Sequence, residues 1–148
     1  MILIKNEQTF PVDLKRLKAH TQKILQVLDY KGFDISMLLV TPEVMRTYNN
    51  DYKGKDTPTD ILSFPYHYLN AGDRIIPETD EDKELGDIIM CPSYIHDDLS
   101  RWQMSFDDRM DVLLVHGICH LLGYDHIEDE DYEIMKVEEE RLLQAIKS

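Results

Sequence analysis

Cationic surplus is what this chain lacks most: 16 Lys and Arg stand against 29 Asp and Glu, a formal net charge of -13 over 148 residues. A general polyanion binder carries a basic footprint, so non-selective attachment to nucleic acid or to an acidic membrane surface does not fit this average. The average hides local structure. Acids gather in residues 78–84 and 128–140, whereas Lys15, Arg16, Lys18 and Lys23 cluster near the start and Lys53 and Lys55 flank Gly54, which leaves room for a local basic groove. Cysteine is scarce as well. Cys91 and Cys119 sit in apolar stretches without a CxxC partner, which predicts buried free thiols and a reducing compartment. No apolar run approaches the roughly 18 residues of a membrane span, and the opening Met1–Glu7 meets an acid after a few apolar residues, so cytoplasm is the expected location. Repeats, low-complexity segments and linkers are also missing. With 43% hydrophobic residues, the chain is expected to form a single domain over 1–148 that buries its core without disulfides.

Periodicity supplies the elements. Leu14, Leu17, Ile24, Leu25 and Leu28 recur at helical spacing over 13–29, ahead of Gly32. Residues 33–40 are apolar and run into Thr41-Pro42-Glu43, where a capping threonine, a proline at the first helical position and an acid announce a helix to about Tyr48. Residues 60–65 and 85–92 read as short strands stopped by proline, joined by a polar loop long enough to be mobile or functional. A helix from Pro92 to about Gln103 follows. Phe106-Asp107-Asp108 then opens a helix reaching Leu122, and a last amphipathic helix spans 129–146, with Tyr132, Met135, Leu142 and Ile146 among acids.

The helix over 108–122 is apolar around most of its circumference and therefore buried, yet it carries His116 and His120. Two imidazoles four residues apart project from one helix face, and Gly123 lets the chain turn so that His126 can swing back to them. Three neutral nitrogen ligands leave a fourth position for water, the layout of a catalytic zinc site and not of a closed structural one. The spacing His116, His120, Gly123, His126 matches the long zinc motif of the metzincin proteases. One residue breaks that match. Those proteases place a glutamate directly after the first histidine as general base, and here the position is Gly117, so a peptidase working that way is not expected. Phosphodiester chemistry asks less of the missing carboxylate, because a metal can polarise a phosphoryl oxygen.

Two carboxylates are candidates for a catalytic part. Asp125, beside His126, reads as a replacement base, an acceptor for a ligand imidazole or a plain turn aspartate, and Asp87 follows Gly86 on a short strand. His20, His67 and His96 have no partner spacing and read as surface residues. Cys119 lies about 100° around the helix from His120, which makes it a core residue and not a ligand.

Three separated blocks, residues 116–126, residues 49–65 (Asn49 to Pro65) and Leu85-Gly86-Asp87-Ile88, resemble the YbeY endoribonucleases, also called rRNA maturation factors, and stand in that family's order. The resemblance implies an α+β fold, a small mixed sheet beside a helical layer with the zinc site at a buried helix. It also implies one zinc ion per chain on His116, His120 and His126, and single-strand-specific RNA cleavage in maturing the 3′ end of small-subunit (16S) rRNA and in ribosome quality control. The partners would be single-stranded rRNA and the small ribosomal subunit, with neither membrane nor DNA specificity. Where the family usually has an arginine after the tyrosine of the second block, this chain has Lys53, a point charge without the planar fork. The resulting catalytic candidates are Lys53, Asp87 and Asp125, with Lys55 as an auxiliary cation. The rival expectations are a non-catalytic ribosome-assembly factor with a structural metal and a metallopeptidase using Asp125.

Overall fold

In the computed structural model, which describes residues 1–147, the chain alternates strands and helices before ending in two long helices. The order is β1 (Ile2–Asn6), α1 (Leu14–Val27), β2 (Asp34–Leu39), α2 (Pro42–Lys53), β3 (Ile61–Pro65), β4 (Glu84–Met90), α3 (Pro92–Asp97), α4 (Phe106–Leu121) and α5 (Asp129–Lys147). The sheet has four strands in the order β1-β2-β4-β3. β1 pairs parallel with β2 and β2 parallel with β4, whereas β3 runs antiparallel along β4, with Phe64 opposite Asp87. The expected α+β class with a small mixed sheet is what the chain adopts.

The alternation of side chains along the strands sorts the core into two parts. Ile35, Met37, Leu39, Ile88 and Met90 face α1, α4 and α5 and join the larger cluster. Leu62 and Ile89 point the other way, where Val40 and Met45 close a smaller cluster under α2. The helical layer thus lies on one face, and α2 closes only part of the other.

Three elements depart from the periodicity. β1 is an edge strand whose Leu3 is half exposed, so it carries little of the alternation that identifies a strand. α2 continues past Tyr48 to Lys53, because Asn49 is no breaker here: it is buried and its Nδ2 donates to the carbonyl of Thr57 at 2.9 Å, and Gly54 ends the helix with a left-handed φ of 68°. The helix after Pro92 stops at Asp97 and passes through a short 3₁₀ turn over Leu99–Arg101. The long loop, expected to be mobile or functional, is tied down at Arg74, which donates to the carbonyls of Leu28 and Asp29 and stacks over Tyr30.

Candidate metal centre

The fold of α4 places the histidines. Ser105 caps its start by accepting from Asp108 N–H at 3.1 Å. Ten of its residues are buried, among them Leu113, Leu114 and Ile118. Its end is a Schellman turn: Gly123 N–H bonds to the His120 carbonyl and Tyr124 N–H to the Cys119 carbonyl, both at 3.1 Å, with Gly123 at φ 92°. That turn reverses the chain and returns His126 to the helix face. The candidate ligand atoms of His116, His120 and His126 all lie within 4.8 Å of one another.

Hydrogen bonds orient two of the rings. His116 Nδ1 is 2.9 Å from Glu139 Oε2 on α5, and His120 Nδ1 is 2.9 Å from the carbonyl of Tyr124. A carbonyl and a carboxylate accept, so each Nδ1 is the donor and each ring turns its Nε2 inward. Those two Nε2 atoms stand 3.0 Å apart. Two imidazole nitrogens this close can share a proton or offer their lone pairs to one metal ion. Burial, and then the neighbouring imidazoles, push the His120 pKa down to about 4, which keeps this ring in the neutral form that can bind a metal. The spacing is near the roughly 3.3 Å between two nitrogens of a tetrahedral zinc site, and the carboxylate and carbonyl are the usual outer partners of zinc-bound imidazoles. The donor set therefore fits the zinc that the sequence suggests.

A cleft of about 850 Å³ opens before the histidines and also takes in Lys53, Asp60, Trp102, Arg109 and Asp125. Lys53, the last residue of α2, and Asp125, beside His126, are thus brought to the histidines. Asp125 Oδ1 caps its own turn by accepting from Ile127 N–H at 3.2 Å. Asp87 is not brought there: it is exposed on the opposite face of the sheet, in a groove of about 620 Å³ with Tyr48, Tyr52 and Phe64. Lys55, beyond Gly54, does not line the cleft.

Gly117 faces the sheet. A Cβ there would lie 2.9 Å from Ile61 Cδ1 and 3.2 Å from both Ile88 Cδ1 and Ser63 Oγ, so the place where a protease glutamate would stand is filled by strands β3 and β4. Cys119 is fully buried and its thiol pKa is pushed up by burial, as a packing residue requires. His20 differs from its surface reading: it is half-buried, with Nδ1 2.7 Å from Asp111 Oδ1.

Sequence reasoning passed over Glu139, Arg109, Asp60 and Trp102. For two of these a signal existed. Glu139 falls on the buried stripe of α5 between Met135 and Leu142, and Arg109 precedes His116 by two helical turns on the same face of α4.

Taken together, the site is a cluster of three histidines that could hold a metal ion, on an α+β scaffold and open to a cleft lined by Lys53, Arg109 and the carboxylates Asp60 and Asp125. The protein-family model for Endoribonuclease YbeY matches residues 3–147. Endoribonuclease YbeY of Neisseria meningitidis serogroup B is 42% identical over 117 residues, 79% of this chain and 67% of that protein. That of Fusobacterium nucleatum is 40% identical over 111 residues, 75% of this chain and 65% of that one. That of Halalkalibacterium halodurans is 34% identical over 144 residues, 97% of this chain and 88% of its own length. The aligned part thus spans about two thirds of the Neisseria and Fusobacterium relatives and nearly all of the Halalkalibacterium one. A solution structure from Thermotoga maritima shares the fold with a TM-score of 0.65 at 23% identity, covering 99% of this chain and 89% of that one. The chain belongs to the YbeY endoribonuclease family, a family of hydrolytic nucleases. No helix among the described residues is long and apolar enough to cross a membrane.

Proposed function

We propose that this chain is a zinc-dependent endoribonuclease that cuts single-stranded RNA, acting in 3′ end maturation of small-subunit (16S) rRNA and in ribosome quality control, with the small ribosomal subunit as its partner and the cytoplasm as its place of work. The observation that supports the metal is the convergence of His116, His120 and His126, whose candidate ligand atoms all lie within 4.8 Å of one another, with the Nδ1 atoms of the first two already committed. The relatives' name supports RNA as substrate.

When bound, zinc supplies a Lewis acid and lowers the pKa of water to about 7. The protein's own residues do the rest. His116, His120 and His126 hold the ion, and Glu139 and the Tyr124 carbonyl fix the first two rings. Lys53 meets a phosphate as a point charge. Asp125, the carboxylate beside His126, takes the proton-accepting role. Asp87, across the sheet, is left out of the chemistry.

A second reading, a metal that only clips the helices together, draws support from the bond between His116 of α4 and Glu139 of α5. One experiment separates the two. A single-stranded rRNA fragment is incubated with chelated and zinc-restored protein, alongside His116→Ala, while unfolding is followed. Cleavage that returns with zinc and is lost in His116→Ala supports the enzyme. Melting on chelation with no cleavage in any sample supports the clip.

A further inference from the structure

Arg109 is 7% exposed, an unusual place for a guanidinium. It lies flat over Trp102, with Cζ 3.7 Å from the ring centroid. Its one ion-pair partner, Asp60, stands 3.6 Å away, outside hydrogen-bond range, and Asp60 Oδ1 is already accepting from Ile61 N–H at 2.7 Å. Among the described residues, no hydrogen bond consumes any of the five donors of this guanidinium. Nor are those nitrogens sealed off, since the described residues include no fully buried side-chain nitrogen without a partner. The fork therefore opens into the cleft that holds the histidines, and its orientation is fixed from behind: Trp102 Nε1 donates to Asp98 Oδ2 at 3.3 Å.

We propose that Arg109 is a built anion site: its guanidinium, laid on Trp102 and steadied by Asp60, takes a backbone phosphate of the single-stranded RNA next to the linkage cut at the histidines. The chemistry of the fork selects this ligand, because a planar guanidinium meets a phosphate bidentately, which Lys53 cannot do. Position argues for a neighbouring phosphate. Arg109 precedes His116 by seven residues on one helix face, about 10 Å along the axis at the backbone, a separation that suits the next part of the strand. Fixing the ring and the guanidinium before RNA arrives also lowers the ordering cost of binding.

The inference rests on the reading of the cleft as an RNA site, so its test measures binding apart from cleavage. Metal-stripped full-length protein is titrated into a labelled single-stranded RNA oligonucleotide at several salt concentrations. Arg109→Met, which keeps the buried bulk, is expected to weaken binding about tenfold and to lower the salt slope by about 0.7, the value for one lost phosphate contact. Arg109→Lys keeps the slope and recovers only part of the affinity. A scan with single neutral methylphosphonate linkages gives the reading that a packing role would not move. Wild type loses affinity at one linkage beside the cleavage point, and Arg109→Lys loses much less there, a comparison that stands even where the Met variant is unstable. If wild type binds and cleaves RNA while both variants match its affinity, slope and scan, Arg109 is no anion site. If wild type neither binds nor cleaves single-stranded RNA, the RNA reading of the cleft falls first and takes this inference with it.

Discussion

Glu139 Oε2 stands 2.9 Å from His116 Nδ1, so a residue of the last helix decides which nitrogen of this α4 imidazole faces the cleft. Without that acceptor the imidazole is free to adopt either tautomer and to turn. Glu139→Ala, which removes the acceptor, is expected to weaken zinc binding by about 10- to 100-fold, the usual effect of losing such an outer partner. Competition with a chromophoric chelator measures it, and the circular dichroism of the variant should match wild type. Equal zinc affinity in the two proteins would show that α5 does not tune the site.

The metal-free protein should be acid-sensitive in a defined window. Burial holds the folded-state pKa of His120 down to about 4, against about 6.5 when unfolded. The unfolded chain therefore binds the proton more readily, and stability present above pH 6.5 is lost as pH falls towards 4. Because the ring is partly exposed, the loss is about 1–2 kcal/mol and not the full value of the shift. Urea midpoints of chelated protein between pH 7 and pH 4 give this quantity, and His120→Gln should flatten the curve. A wild-type curve as flat as that of the variant would contradict it.

Gly123→Ala should damage both the fold and the site. The added Cβ would meet the carbonyl of Leu69 at 2.3 Å, a backbone group that cannot step aside, at a φ of 92° where alanine is strained. We expect a loss of about 2–4 kcal/mol of stability, from backbone strain and the clash together. Zinc affinity should fall as well, because His126 is placed by this turn. Thermal melting and metal titration test the two effects separately.

Lys53→Ala is expected to weaken binding of single-stranded RNA and to lower its salt slope by about 0.7, with zinc content unchanged. Lys53→Arg should bind at least as tightly as wild type. A slope unchanged in Lys53→Ala would remove Lys53 from the phosphate path.

Much of this was legible in the chain. The spacing of His116, His120, Gly123 and His126 announced the convergence of the three imidazoles, because a helix and its glycine cap have fixed geometry. The loss of the protease base at Gly117 was legible as well, and the packing of Ile61 and Ile88 against that position gives it a physical reason. Helical position pointed to Glu139 and Arg109, but not to the contacts between distant segments that give them their parts. Glu139 is 23 residues beyond its histidine, inside an acidic run that looks like a solvated face. Arg109 gains meaning only when Trp102 and Asp60 fold around it. Asp87 shows the converse: its block was recognised, but strand alternation sends its side chain to the far face, which a motif match does not report.

The most direct test of the account is metal analysis of purified protein by mass spectrometry, combined with X-ray absorption at the zinc edge. The account predicts one zinc per chain, three imidazole nitrogens at about 2.0–2.1 Å, and loss of the metal in His120→Ala. Zinc that is absent from wild type, or retained at full stoichiometry in His120→Ala, would contradict it.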